Sequence, residues 1–257
     1  MKVTVCELRN TPPEFEADWQ ALVNHVRSES SDLVLLPEMP FYPWLAWTRE
    51  VDPDAWKSSV EAHEQGISRL EELGSHVVIS SRPISNNTER FNEGYVWEVA
   101  SGYEAAHTKY YLPNDEGFWE ASWYKRGAKK FEVAQTSKAR VGFLICTELW
   151  FNAHAREYVK QDIELLACPR ATPVQSTDKW IAGGRAAAVV SGAYCLSSNL
   201  SGVGKGGLRF GGTGWIIEPE EGEVLGLTSR NHPFLTLEID LSKAQKAKQT
   251  YPRYVAD

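Results

Sequence analysis

Three strand-like segments of this chain each end at a chemically reactive side chain. The apolar run 139–145 has the length and the Val and Ile content of a buried strand, and Cys146 follows it directly. The segment 32–36 shows the same pattern, and the proline after it stops strand pairing just before Glu38. Lys109 stands in an aromatic setting near the end of the third segment. Packing alone explains such a set poorly, so the sequence predicts a functional site where these strands end.

The sequence changes abruptly after Cys146 to a polar and aromatic stretch, 147–151, which predicts a sharp turn from strand to helix. At such a turn the thiol faces a cleft, and the amide groups and positive dipole end of the following helix are expected to favour its thiolate. The alternative interpretation is a buried core cysteine, since free Cys is among the most buried residue types. For Lys109 the corresponding alternative is a solvated lysine at the edge of a sheet.

The order of apolar segments predicts the fold class. Apolar residues recur at helical spacing in 15–26 and 56–70, which predicts a helix after each of the first two strands. Consecutive strands are predicted at 76–81, 91–100 and 103–111. The second half of the chain alternates predicted helices over 152–161 and 177–191 with strands over 163–168, 193–199, 213–218 and 234–240. Such strand runs with flanking helices predict an α/β fold in which two sheets pack face to face with helices outside, a four-layer αββα sandwich.

At the reactive positions the chain resembles the nitrilase superfamily of carbon-nitrogen hydrolases, whose pattern is a glutamate, a lysine and a cysteine in that order. The glutamate is matched by Leu-Leu-Pro-Glu38-Met-Pro-Phe, the lysine by Thr-Lys109-Tyr-Tyr-Leu-Pro and the cysteine by Gly-Phe-Leu-Ile-Cys146-Thr-Glu. The superfamily has a second glutamate a few residues before a glycine on the approach to the nucleophile strand. Glu120, followed by Gly127, matches it.

The resemblance covers nearly the whole chain, from the first strand to the glycine-rich segment 211–215. It therefore implies one carbon-nitrogen hydrolase domain over 1–257, with the same αββα sandwich that the strand and helix pattern predicts. Members of the superfamily associate through helices near the nucleophile, so the resemblance implies a homodimer or a higher homo-oligomer. The apolar segment 181–191 suits close helix packing, either within the subunit or across that interface.

The superfamily mechanism implies a role for each matched residue. Cys146 attacks the carbonyl carbon and forms a thioester, while Glu38 takes the thiol proton, passes it to the leaving ammonia or amine and then acts on water. Lys109 is expected to stabilise the tetrahedral oxyanion together with the backbone N–H of Thr147. Glu120 is expected to orient Lys109 and the substrate or water. This chemistry requires no metal and no cofactor.

The neighbourhood of the cysteine leaves the substrate class open. Thr147 and Glu148 do not assign the chain to a subgroup, and a nitrile substrate is not favoured, because true nitrilases tend to have Trp after the cysteine and a longer C-terminus. We expect an amidase acting on a small-molecule amide, with an N-carbamoyl amino acid or amine as the alternative. The sequence also leaves open an acyltransferase, a catalytically silent binding protein and a Cys-His hydrolase that uses His107. Glu148 is expected to cap the following helix or to line the pocket.

Aromatic residues close to the four matched positions predict a pocket with aromatic walls for an apolar or planar acyl group. For each of them, ordinary core packing is the alternative. They are Phe41, Trp44, Trp119, Trp123, Trp150 and Phe151. Arg170 follows the end of another predicted strand, where it is a candidate either for binding a substrate carboxylate through two hydrogen bonds or for a structural salt bridge.

Charge and composition favour a small-molecule substrate. The formal net charge of −7 provides no electrostatic reason to expect nucleic acid or an anionic membrane as a partner. Residues 1–8 alternate like a strand and lack the apolar core of a secretory signal, and no stretch approaches the length of a membrane span, so we expect a cytoplasmic enzyme. The four cysteines lie far apart, which matches neither a CxxC metal site nor a disulfide framework.

Overall fold

The computed structural model describes residues 1–211 and 213–255. Gly212 of the glycine-rich segment and residues 256 and 257 of the predicted domain lie outside the described residues. The strands are β1 (Lys2–Arg9), β2 (Leu33–Leu35), β3 (Val77–Asn86), β4 (Glu89–Glu98), β5 (Gly102–Thr108), β6 (Ala134–Gln135), β7 (Arg140–Phe143), β8 (Leu165–Arg170), β9 (Tyr194–Val203), β10 (Arg209–Gly211), β11 (Trp215–Ile217), β12 (Val224–Leu227) and β13 (Phe234–Glu238). The α-helices are α1 (Glu14–Glu29), α2 (Pro53–Ser68), α3 (Glu120–Trp123), α4 (Asn152–Glu157), α5 (Thr177–Ser191) and α6 (Leu241–Ala247). Short 3₁₀ helices cover Leu70–Leu73, Cys146–Trp150, Tyr158–Gln161, Val174–Ser176 and Lys205–Gly207.

The strands form two sheets that meet along β1. In the first sheet β1, β2 and β3 run parallel, β4 and β5 continue antiparallel beyond β3, and β13 pairs antiparallel with β1. In the second sheet β7, β8 and β9 run parallel, with β6 antiparallel to β7 and both β10 and β11 antiparallel to β9. β12 extends this sheet beyond β11. The two sheets join where residues 7–9 of β1 pair in parallel with residues 199–201 of β9.

Alternate side chains of the first sheet face two different cores. Leu33 and Leu35 of β2 pack into the core between the two sheets, together with Phe143 of β7. Val34 faces the other way, into a core that it shares with Trp19 of α1. Helices α1 and α2 contact the outer side of the first sheet, and α5 contacts β9 and β11 of the second. Successive strand residues point to opposite faces and each face is covered, so the predicted αββα sandwich is confirmed.

Several elements differ from the sequence-based prediction. β5 ends at Thr108, so Lys109 follows the strand instead of lying within it. The helix predicted over 152–161 is α4 up to Glu157, and a 3₁₀ helix completes the segment. The sequence pattern does not predict β6, β10, β12, α3 or α6, because such short elements do not show a clear hydrophobic period.

Candidate active site

The end of β2 places Glu38 where the two sheets meet. Pairing with β3 continues one residue beyond the strand, since Leu36 donates its N–H to the carbonyl of Ile79 at 2.8 Å. The backbone N–H of Glu38 then donates to the carbonyl of Arg170, at the end of β8, at 3.3 Å. The next residue, Met39, has a φ of 46°, in the left-handed region that non-glycine residues rarely adopt. The chain thus turns sharply away from the sheet and leaves the Glu38 side chain fully buried.

Two backbone contacts hold Lys109 just beyond β5. Its N–H donates to the carbonyl of Asn92 at 2.9 Å, and its carbonyl accepts from the N–H of Gly127 at 3.0 Å. Gly127 lies so close that a Cβ atom placed on it would stand 2.4 Å from the carbonyl oxygen of Thr108. Glycine therefore allows the close backbone approach that fixes Lys109 from both sides.

The ammonium group of Lys109 contacts the carboxyl groups of two glutamates in the protein interior. Its Nζ lies 2.7 Å from Glu38 Oε1 and 2.9 and 2.7 Å from the two carboxylate oxygens of Glu120. All three side chains are fully buried, and Glu120 is the first residue of α3. Within the described ranges Glu38 Oε2 has no hydrogen-bond partner, so this second oxygen is free to take a proton.

Asn92 is a fourth polar residue of this group, and the sequence analysis missed it. It lies fully buried in β4, and its Nδ2 donates to Glu38 Oε1 at 2.8 Å. Its Oδ1 has no hydrogen-bond partner among the described residues. The sequence does contain a hint of this residue, because Asn92 lies within the predicted strand 91–100. A buried amide side chain adds nothing to apolar packing and needs a hydrogen-bond partner, which indicates a polar role.

Burial and charge act in opposite directions on the pKa values of these groups. Burial lowers the pKa of Lys109, but Glu120 and Glu38 raise it more, so the pKa lies well above its usual value and the side chain is an ammonium. Burial raises the pKa of Glu120 to about 8, although Lys109 lowers it in part. Burial and the opposite charges of neighbouring groups therefore act together on the pKa values of Lys109 and Glu120.

Cys146 begins the 3₁₀ helix after β7 and has a φ of 49°, in the left-handed region. Backbone strain of this kind concentrates at functional sites. Burial raises the pKa of the thiol, and the charge of Glu38 raises it further, while Lys109 lowers it in part. The sequence predicts a thiolate favoured by the following helix, whereas burial and the charge of Glu38 leave the pKa of the thiol above its usual value. With its pKa raised, the Cys146 side chain favours the thiol form, so a reaction at its sulfur would need a base.

Glu148 connects the backbone on either side of the site. Its Oε2 accepts from the N–H of Ile145 at 2.9 Å, and its Oε1 accepts from the N–H of Tyr110 at 2.7 Å. The Nε2 atom of His107 lies 2.8 Å from the same Oε2, so His107 pairs with this carboxylate. The cap expected from the sequence is present at Ile145, but the link to Tyr110 is not visible in the sequence because it spans two distant segments.

An aromatic cluster lies beside Glu38 and Glu120. Two of the predicted pocket residues, Trp44 and Trp123, are buried in it and donate their indole N–H groups to backbone carbonyls at 3.0 and 2.7 Å. Trp119 packs against its edge. The cluster also contains Met39, which follows Glu38, and Tyr124, which follows α3, so the chain connects this cluster to both glutamates.

The remaining predicted pocket residues are placed differently. Phe41 packs edge-on against Trp19, with 5.5 Å between the ring centroids, in the core beneath α1, which corrects the prediction that it lines the pocket. Trp150 and Phe151 are 39% and 37% exposed, because the 3₁₀ helix carries them to the outer surface. Thr147 is half-buried directly beside the nucleophile.

Arg170 is a fully buried cross-link between strands. Its three guanidinium nitrogens donate to Ser197 Oγ at 2.7 Å, Thr172 Oγ1 at 2.9 Å and the carbonyl of Thr213 at 2.5 Å. The guanidinium also stacks 4.0 Å from the ring centroid of Trp215, and burial lowers its pKa to about 10. Each guanidinium nitrogen already donates one hydrogen bond inside the protein and the side chain is fully buried, so the geometry favours a structural role over binding of a substrate carboxylate. The structural role of Arg170 is carried by hydrogen bonds to neutral groups.

The sequence pattern that describes the carbon-nitrogen hydrolase family matches residues 2–249. The chain belongs to the carbon-nitrogen hydrolase family. An N-carbamoylputrescine amidase of Arabidopsis thaliana is 23% identical over 252 residues, which cover 90% of this chain and 83% of the relative.

Two solved structures share the fold. A carbon-nitrogen hydrolase from Helicobacter pylori G27 superposes with a TM-score of 0.85 at 21% identity, covering 98% of this chain and 94% of the other. A mutant of the amidase from Nesterenkonia sp. AN1, with acrylamide added to its active-site cysteine, superposes with a TM-score of 0.77 at 19% identity, covering 95% of each chain.

The resemblance inferred from the sequence is thereby confirmed. This carbon-nitrogen hydrolase is an enzyme that acts on carbon–nitrogen bonds of small amides other than peptide bonds. In the part of the chain that the structure describes, no helix combines the length and hydropathy needed to cross a bilayer. The same ranges contain no group of three or more His, Cys, Asp or Glu side chains arranged to hold a metal ion.

Proposed function

We propose that this enzyme is an amidase that releases ammonia from a small-molecule amide through a thioester on Cys146. The observation that carries this proposal is the buried contact of Lys109 with both Glu38 and Glu120, whose charges act on the pKa of the Cys146 thiol. Family membership supports the reaction class, and the geometry supports the division of roles.

The first half of the reaction starts from the protonated thiol. Glu38 takes the thiol proton on its free Oε2 as the sulfur attacks the carbonyl carbon. The Lys109 ammonium and the backbone N–H of Thr147 stabilise the oxyanion of the tetrahedral intermediate. Glu38 then transfers the proton to the leaving nitrogen, the C–N bond breaks, and ammonia departs from the thioester.

The second half returns the enzyme to its resting state. Glu38 takes a proton from water as the water oxygen attacks the thioester carbon, and the same two donors stabilise the second oxyanion. Collapse of this intermediate breaks the C–S bond and releases the carboxylic acid. The sulfur then regains its proton from Glu38. Throughout both halves Glu120 acts as a positioning residue, because its two oxygens hold the Lys109 ammonium.

An N-carbamoyl amine or amino acid is the second candidate substrate. The similar Arabidopsis protein carries the name of an enzyme for a carbamoylated amine, and the same machinery would cleave the terminal C–N bond of a carbamoyl group. A cytoplasmic location and a homo-oligomeric state remain predictions from the sequence and the resemblance.

A substrate screen tests the proposal directly. The enzyme is mixed with primary amides, N-carbamoyl compounds and nitriles, ammonia is measured, and intact mass spectrometry follows the covalent adduct. We expect ammonia and an acyl adduct that Cys146→Ala abolishes, whereas Cys6→Ala, at a buried cysteine of β1, keeps both. Ammonia release that survives Cys146→Ala, or no turnover of any compound, would contradict the proposal. Added hydroxylamine traps the thioester as a hydroxamate in either case, and an acyltransferase is recognised because it forms little acid when no acceptor is added.

A further inference from the structure

The hydroxyl group of Tyr124 is buried without a hydrogen-bond partner among the described residues. Tyr124 directly follows α3, and its backbone N–H donates to the carbonyl of Glu120 at 2.8 Å. Its ring packs against Trp56, with 5.6 Å between the ring centroids, and the residue is 3% exposed. Buried polar groups in native proteins nearly always have a partner, so this hydroxyl needs an explanation.

The charges of the catalytic group reach this hydroxyl. Burial raises the pKa of Tyr124 well above its usual value, and Glu120, Glu38 and Cys146 raise it further, while Lys109 lowers it. The phenol therefore stays neutral, and it lies within electrostatic range of all four groups. A second tyrosine with an unpartnered buried hydroxyl, Tyr95, packs instead in the outer core shared with α1.

In the described part of the chain, three unpartnered buried oxygens belong to the catalytic group, contact it through Glu38 or lie within its electrostatic range. They are Glu38 Oε2, Asn92 Oδ1 and the Tyr124 hydroxyl. Each of these oxygens can accept a hydrogen bond. Asn92 Oδ1 and the oxygen of an ionised Glu38 can only accept, whereas the Tyr124 hydroxyl can also donate. A ligand that satisfies this arrangement must bring several N–H donors close to its reacting carbon.

We infer that Tyr124 is a specificity-determining residue that contacts the substrate, and that its hydroxyl oxygen accepts from the N–H joining a carbamoyl group to the rest of the molecule. This inference rests on the proposed function. A carbamoyl group, R–NH–CO–NH₂, has three N–H donors for the three oxygens, whereas the amide R–CH₂–CO–NH₂ has two. The site therefore favours carbamoyl compounds over amides of the same shape.

The test compares a matched substrate pair in two matched variants. The pair is butylurea and hexanamide, which differ only in an N–H or a CH₂ next to the carbonyl, and kcat/KM is measured for both by ammonia release. Tyr124→Phe removes only the hydroxyl. We expect it to lower the ratio of kcat/KM for butylurea over hexanamide by at least about fivefold, since a lost hydrogen bond to a neutral partner has this order of effect. Tyr95→Phe, the control, leaves the ratio unchanged.

The outcomes separate this inference from the amidase proposal. Thermal unfolding of Tyr124→Phe checks that the variant is folded, and the substrate ratio is insensitive to any loss of active protein. If the wild type hydrolyses either compound and the ratio of kcat/KM is unchanged in Tyr124→Phe, Tyr124 does not have the inferred role. The amidase function is not contradicted by this result. A wild type that releases no ammonia from the pair or from the wider panel, and forms no Cys146 adduct, overturns both.

Discussion

Glu148 and Tyr110 are joined by a hydrogen bond of 2.7 Å from the Tyr110 backbone N–H to the Glu148 carboxylate. Tyr110 follows Lys109 directly, and the other carboxylate oxygen holds the backbone N–H just before Cys146 at 2.9 Å. Burial raises the pKa of Glu148, but His107 and the two backbone N–H groups lower it more, so the pKa lies below its usual value. One buried, ionised carboxylate therefore links the backbone next to Lys109 with the backbone next to Cys146.

Glu148→Gln tests this bridge. The amide would place an NH₂ donor against an N–H donor, so the backbone at Lys109 or Cys146 must shift. We expect kcat to fall about 100-fold, as a misplacement of about 1 Å can cost that much, while KM changes less. Glu157→Gln, at a partly exposed glutamate of α4, serves as the control and keeps near-normal activity in the same ammonia assay. Full activity of Glu148→Gln would show that the bridge does not position the site.

Glu38→Gln is expected to lower the pKa of the Cys146 thiol. The carboxylate of Glu38 raises that pKa in the wild type, so its removal favours the thiolate, although burial still holds the pKa above its usual value. The ultraviolet absorbance of the thiolate, titrated against pH with Cys146→Ala as the blank, measures the shift. The same variant must lose hydrolysis, because the base is gone. A titration curve that does not move would mean that Glu38 does not act on the sulfur.

Glu120→Gln is expected to flatten the pH dependence of stability. The pKa of Glu120 rises from 4.5 to about 8 on folding, so the folded wild type keeps a proton that the unfolded chain has lost. The free energy of unfolding should therefore fall as pH rises from 4.5 towards 8. The neutral amide has no such penalty, so the stability of Glu120→Gln relative to wild type should rise across this window. Urea unfolding at several pH values measures the difference, and a constant difference would refute the shift.

Gly127→Ala is expected to disturb Lys109 through the backbone alone. The added Cβ would stand 2.4 Å from the carbonyl oxygen of Thr108, so the strand end or the Gly127 loop must move. We expect a loss of about 1–3 kcal/mol in unfolding free energy and a clear loss of kcat. Denaturant unfolding and the ammonia assay measure the two effects. If neither the unfolding free energy nor kcat changes, the end of β5 and the Gly127 loop can move apart without destabilising the protein or disturbing Lys109.

Glu38, Lys109 and Cys146 could be selected from the sequence because their signals are local, and the structure brings Glu38 and Lys109 into contact. Their catalytic roles are part of the proposed function. A strand pattern with a reactive residue at its end occupies fewer than ten neighbouring positions, and the surroundings of Glu38, Lys109 and Cys146 each carry one. The same local patterns predicted α5 with its observed bounds and the layer order of the fold. Glu120 came from the resemblance and its spacing to Gly127, since the four-residue helix that carries it has no period of its own.

Only the tertiary structure decided how these residues are used. The neighbours of Phe41 in sequence belong to the site, yet the turn after Glu38 directs its ring into the core beneath α1. Asn92 and Glu148 gain their roles from partners 54 and 38 residues away in the chain. The protonation of Cys146 depends on complete burial among charges from three other segments. Burial and hydrogen bonding between distant segments are properties of the packed chain, so no local pattern of residue types encodes them.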